Sequence, residues 1–184
     1  MSLCDYLYNR YVFTKHGIQY TQFPKIWGRI MVSKFAEGGT IKIGQGVLIN
    51  SSFKANPVGG HRTVFMIMHK DAVIELDDEA GISNVLLAAH ERIYIGKGVA
   101  IGAGTKIMDT NFHALRYSDR NANINTAHAP VTIRDRVFIG ADALILKGVT
   151  IGEDSVIGAG AVVAKSVPPG EIWGGNPARF LRKL

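Results

Sequence analysis

The 184-residue chain contains one cysteine, Cys4, which excludes an intramolecular disulfide framework and any cysteine-rich zinc site. It has no run approaching the roughly 18 apolar residues of a membrane-spanning helix, so no membrane insertion is expected. Its opening segment, MSLCDYLYNRYVFTKHG, lacks the apolar stretch of an export signal, and a cytoplasmic location is the expectation. Runs of like charge are missing too. Lysine and arginine are scattered apart from a small group at Arg179, Arg182 and Lys183, and aromatic and basic residues do not interleave as nucleic-acid binding requires. The net charge is still +6, which suits either a solvated surface or an anionic small molecule bearing phosphates. Glycine, by contrast, is plentiful at 21 residues, well above the usual share of about 7%, and implies many tight corners.

Those corners recur with a fixed period. The C-terminal half reads in sixes, IRDRVF, IGADAL, ILKGVT, IGEDSV, IGAGAV, VAKSVP, with an aliphatic residue at Ile133, Ile139, Ile145, Ile151, Ile157 and Val163. Ile95, Ile101 and Ile107 repeat the pattern earlier, and weaker copies fall at Ile43 and Ile49 and at Leu76, Ile82 and Ala88. Six is neither the 3.6 of a helix nor the 2 of a half-buried strand. It suits a solenoid in which each hexapeptide is a short strand plus a corner, three of them closing a triangular coil and the coils stacking at about 4.8 Å. Gly44, Gly96, Gly102, Gly140, Gly152 and Gly158 follow the inward residue, where a missing side chain relieves backbone crowding or permits positive φ.

Two stretches break the rhythm. Residues 114–130 carry no repeat and are expected to be a loop thrown out from a corner. Residues 50–72 interrupt it earlier, punctuated by Pro57, Gly59 and Gly60. The first forty residues show no sixfold pattern, which suggests a cap on the open end of the solenoid. The expected organisation is therefore one domain over 1–184: a cap at 1–40, a β-helix at 41–168 and a C-terminal tail at 169–184.

The segments DTNFH (109–113), APVTIRDRVFIGADALILKGVTIGEDSVIGAGAVVAKSVPPG and GGNPARFLRKL closely resemble the hexapeptide-repeat O-acetyltransferases, the group of galactoside, maltose, nodulation-factor and polysaccharide acetyltransferases. The likeness is strong from about residue 73 onward. It implies an all-β fold, a left-handed parallel β-helix, assembled as a homotrimer with sites between subunits. It also implies acetyl-CoA as co-substrate, no metal, and a hydroxyl-bearing acceptor such as a saccharide.

Acyl transfer to a hydroxyl needs a base for the hydroxyl proton, and histidine suits that role at neutral pH. Of the six histidines, His113 ends a hexapeptide run, opens the long loop and matches the family's catalytic histidine. The resemblance points further to the Ala141 backbone N–H as the oxyanion donor, with Ala159 eighteen residues on to floor the pantetheine groove. Ala164, Lys165, Arg179 and Arg182 match positions that contact CoA, whose phosphates call for cations. Asp109 and Asn111, four and two residues before His113, are candidates to orient it or to bind an acceptor, with Ser83 and Asn84 as weaker acceptor candidates. Trp173 is placed to pack on the cofactor or to cap the last coil.

Other readings share the solenoid. A γ-type carbonic anhydrase binds zinc with an early histidine followed by two others five residues apart, a spacing that His90, His113 and His128 do not reproduce. A non-catalytic scaffold would need neither His113 nor the CoA-matching tail. An amine acceptor, such as an amino sugar, would use the same base.

Overall fold

The computed structural model describes residues 2–122 and 124–184. After helix α1 (Leu3–His16), the chain winds through six three-stranded coils. These are β1 (Gln19–Tyr20), β2 (Lys25–Gly28) and β3 (Met31–Lys34), then β4 (Thr40–Ile43), β5 (Leu48–Ser51) and β6 (Val64–Ile67). The third coil is β7 (Val73–Leu76), β8 (Gly81–Ser83) and β9 (Leu86–Ala89), and the fourth β10 (Arg92–Ile95), β11 (Ala100–Ile101) and β12 (Lys106–Met108). A short helix, α2 (Tyr117–Ala122), lies in the long loop that follows. The fifth coil is β13 (Val131–Ile133), β14 (Phe138–Ile139) and β15 (Leu144–Ile145), the sixth β16 (Thr150–Ile151), β17 (Val156–Ile157) and β18 (Val162–Val163). Strands β19 (Glu171–Gly174) and β20 (Arg179–Lys183) end the chain.

The first strand of every coil forms sheet A, the second sheet B and the third sheet C, and neighbouring coils pair in parallel throughout. Every aliphatic residue of the six-residue repeat from Ile133 to Val163 is fully buried, each stacked on its counterpart one coil away. Burial of each contributes roughly 1.5–3 kcal/mol. The repeat glycines between stacked coils, Gly158 on the last coil excepted, work by relieving crowding. A Cβ on Gly102 would stand 2.5 Å from the Ala141 nitrogen, and one on Gly140 2.5 Å from that of Ala159. Only a hydrogen there lets successive corners stack at strand spacing.

Three boundaries differ from expectation. Of the first forty residues only α1 is a cap, since residues 19–34 already form the first coil. Helix α1 plugs the open end with Val12 and Phe13. Its buried Asn9 donates to the Gly28 carbonyl at 2.8 Å and accepts from the Ile30 N–H at 3.1 Å, satisfying backbone groups the terminal coil would leave bare. The interruption at 50–72 is likewise shorter, because β6 restores the coil and leaves residues 52–63 as the protruding part. The tail at 169–184 continues sheet B: β19 pairs in parallel with β17 and turns back through antiparallel β20. Ala88 is also out of phase. Leu87 sits in register with Phe65 and Ile107, so Leu87, not Ala88, holds the inward position. Among the described residues no helix is long and apolar enough to cross a membrane.

Candidate active site at two corners of the coil

The corner between sheets B and C stacks Gly102, Gly140 and Gly158, followed by Ala103, Ala141 and Ala159. Gly140 donates to the Ile157 carbonyl at 2.8 Å and Asp142 to that of Ala103 at 2.8 Å. Between them the Ala141 N–H has no acceptor among the described residues. It is a fixed, available donor on a corner floored by methyl groups, the arrangement an oxyanion and a thin acyl chain require. Arg179 lies at the lower end of this corner, where β20 pairs it with Gly174. Both Arg179 and Arg182 are exposed, and among the described residues their guanidinium groups bond only to nearby carbonyls, those of Ala178 and Lys183.

Above Gly102 the outer face of sheet B opens into a cleft of about 560 Å³. Side-chain size along the strand register builds it. The ladder Leu48, Gly81, Ala100, Phe138 runs large, absent, small, large, and the adjoining ladder Trp27, Asn50, Ser83 adds an aromatic ring and two polar groups. The loop at 52–63 borders it, held by the Asn56 Nδ2 donating to Ser83 Oγ at 2.9 Å and the Asn84 Nδ2 donating to the Asn56 carbonyl at 3.0 Å. Ser83 therefore lines the cleft. Asn84 does not: it is buried beneath the loop with φ of 48°, turning the corner.

His113 occupies a different corner, between sheets C and A. The excursion that carries it leaves at Asp109 and returns at Ala129, closed by Ala129 N–H donating to the Asp109 carbonyl at 2.9 Å and Asn111 N–H to that of Ala127 at 3.0 Å. Phe112, with φ of 61°, turns the chain so that His113 stands exposed. Asn111 lines a cavity of about 340 Å³ inside the excursion, with Ala114, Arg116, Asp119 and Asn125. Asp109 faces inward. Its wholly buried carboxylate accepts from the backbone N–H groups of His90 at 2.6 Å and Glu91 at 2.7 Å, so it anchors the loop and is closed to a ligand. Burial pushes its pKa above the ordinary carboxylate value, against the opposing pull of those amides.

Ala164 and Lys165, exposed just after β18, share the sheet C/A corner with His113. The residues drawn from the family resemblance thus divide between two corners. One side of the coil separates them, roughly 13 Å for four residues at about 3.3 Å each. Trp173 stands in register with Ile157, packs against the core and donates from Nε1 to Glu171 at 2.8 Å, so it caps the last coil. Sequence reading missed Trp27, Leu48 and Phe138, which share no motif and meet only through strand register, and the histidines discussed below.

Stacked hexapeptide coils, with a loop-borne histidine at one corner and a free corner amide at another, define a hexapeptide-repeat solenoid. The family model for the bacterial transferase hexapeptide (six repeats) matches residues 130–165. A hexapeptide-repeat acetyltransferase from Vibrio cholerae, solved with acetyl coenzyme A, is 26% identical with a TM-score of 0.62, over 100% of this chain and 80% of that one. Gamma carbonic anhydrase 1 of Arabidopsis thaliana mitochondria is 31% identical over 154 residues, 67% of this chain and 55% of its own length. A Schizosaccharomyces pombe protein bearing an acetyltransferase name is 45% identical over 92 residues, 50% of this chain and 44% of its own. The chain thus spans about half the length of the curated relatives it matches. It carries the hexapeptide repeat of that family model over residues 130–165, and its coil is the left-handed parallel β-helix.

Proposed function

We propose that the protein is an acetyl-CoA-dependent O-acetyltransferase that transfers the acetyl group directly to a saccharide or similar small hydroxyl acceptor. The observation that carries this reading is the free Ala141 N–H on a methyl-floored corner, set between an acceptor-sized cleft above and exposed arginines below. The pantetheine arm runs along Ala141 and Ala159, and the CoA phosphates meet Arg179, Arg182 and Lys165. The acceptor lies in the cleft with Asn50 and Ser83 on its hydroxyls. His113 takes the hydroxyl proton as the oxygen attacks the thioester carbonyl, Ala141 N–H holds the resulting oxyanion, and collapse expels CoA thiolate, which recovers the proton. Because His113 and Ala141 lie on separate corners, each site takes its base from one subunit and its groove from another, which supports a homotrimer.

Likeness to a structure solved with acetyl-CoA over the whole chain supports the cofactor. The test is a thiol-release assay with acetyl-CoA and a panel of sugars, amino sugars and nucleotide sugars on wild type and His113→Ala. A fall of about a hundredfold in kcat with unchanged CoA affinity is the expected result. Survival of full activity in His113→Ala removes His113 as base. Turnover confined to amino sugars replaces oxygen by nitrogen as the nucleophile. The 31% identity to a carbonic anhydrase favours a second reading, hydration of carbon dioxide at a zinc shared between subunits. Stoichiometric zinc in the purified protein, with hydration activity lost on chelation, would establish it.

A further inference from the structure

Three histidines outside the proposed chemistry stand together on the sheet C/A corner. His69, His90 and His128 come from positions 21 and 38 residues apart in sequence. Stacking of the coils brings their rings into a column, with centroids 5.2 Å apart for His69 and His90 and 4.2 Å for His90 and His128, the planes tilted by 25° and 24°.

The column stands against the base of the excursion that carries His113. His128 forms a bridge with Thr110, directly across the two limbs of that base, and its Nδ1 lies 3.1 Å from Glu91 Oε2. The backbone N–H of His90 is one of the two amides that hold Asp109. His90 thus meets both limbs, its ring through His128 and its backbone N–H through Asp109. It is also poorly equipped to carry a charge: His90 Nδ1 is buried with no hydrogen-bond partner among the described residues.

We propose that the His69–His90–His128 column is an acid-sensitive clasp on the loop carrying His113, closed while His90 is neutral and opened when His90 is protonated. Protonation would put a buried N–H where no acceptor stands, and a cation 4.2 Å from His128. Opening the loop to water relieves both. The groups facing the column are Asp71 beside His69, Asp109 and Glu91 around His90, and Glu91 on His128. The two carboxylates near His90 favour its cation. Burial, the largest effect, opposes it together with His128 and His69, and the net result lies below the ordinary value of 6.5. With the proton bound more weakly in the closed form, closure is favoured above pH 6.5 and is progressively lost as pH falls below it.

The link to catalysis rests on the reading of His113 given above, whereas loop opening can be measured without it. Amide exchange of residues 110–122, normalised to intrinsic rates and to the strands of coils five and six, is followed between about pH 7.5 and about pH 5.5. Protection of the wild-type loop is expected to fall several-fold, and by no more than about tenfold for a single proton. In His90→Phe, which keeps a ring in the stack and removes the proton, most of that fall should disappear. His90→Gln serves the same comparison should the phenylalanine variant fold poorly. Equal pH dependence in wild type and variant, or none in wild type, overturns the clasp. If transferase activity is found, the acid limb of its pH profile should lose about one proton of steepness in His90→Phe. A pH-sensitive loop in a protein without transferase activity would sustain the clasp and sink the catalytic reading.

Discussion

Replacing Gly140 by alanine tests the packing argument at the corner proposed to hold the acyl group. The added Cβ would stand 2.5 Å from the nitrogen and 2.8 Å from the Cα of Ala159, both backbone atoms that can retreat only by prying two coils apart. Overpacking of this kind costs about 1–3 kcal/mol. For a chain of this size each kcal/mol lowers Tm by about 2–4 °C, so a drop of roughly 5 °C is expected. Gly81→Ala is the matched control. It is the same change on the same sheet, with no atom within 4 Å of the new Cβ and no positive φ. There the reduced freedom of the unfolded chain should leave Tm unchanged or raise it by about 1–4 °C. Thermal melts followed by circular dichroism measure both. A Gly140→Ala protein melting at or above Gly81→Ala would refute the claim that the corner glycines exist to let coils approach.

Filling the cleft with Gly81→Leu should raise the acceptor KM about tenfold and leave the KM for acetyl-CoA unchanged; an unaltered acceptor KM, or a changed oligomeric state in light scattering, would show that no acceptor lies there. Arg179→Ala should raise the KM for acetyl-CoA several-fold and weaken its salt dependence, read from initial rates at two ionic strengths. Asp109→Asn leaves a buried backbone N–H facing an NH2 group, at a cost of about 1–3 kcal/mol near pH 7. Because burial raises the Asp109 pKa, wild type takes up this proton on the folded protein before the unfolded chain would. Its melting advantage over Asp109→Asn should therefore grow as pH falls through that raised range, and a gap that narrows there would contradict the assignment.

The period of six revealed the solenoid because inward residues at Ile133, Ile139, Ile145, Ile151, Ile157 and Val163 meet identical neighbours at every turn. Where corners change length the signal fades. From Val32 to Ile43 and from Phe65 to Leu76 the chain takes eleven residues between inward positions, because the sheet C/A corners are longer there, and the first two coils are obscured. The corner after Ile82 is a residue short and is turned by Asn84 in a left-handed conformation, which threw Ala88 out of phase. His113, Ala141 and Arg179 could be chosen from their motif surroundings. The role of Asp109 could not, since its partners are backbone amides nineteen and eighteen residues away, on a neighbouring coil. The histidine column has no sequence signature, because its spacing depends on how much chain each corner spends before the next coil begins.

The separation of His113 and Ala141 onto different corners has a genetic consequence. If each working site draws its base from one chain and its groove from the next, a chain lacking the imidazole and a chain with a blocked groove are each inactive alone. Mixed within one assembly, the intact corner of the first meets the intact corner of the second. Two defective alleles expressed together would then restore part of the activity that neither possesses, whereas a site confined to one chain would show no such complementation.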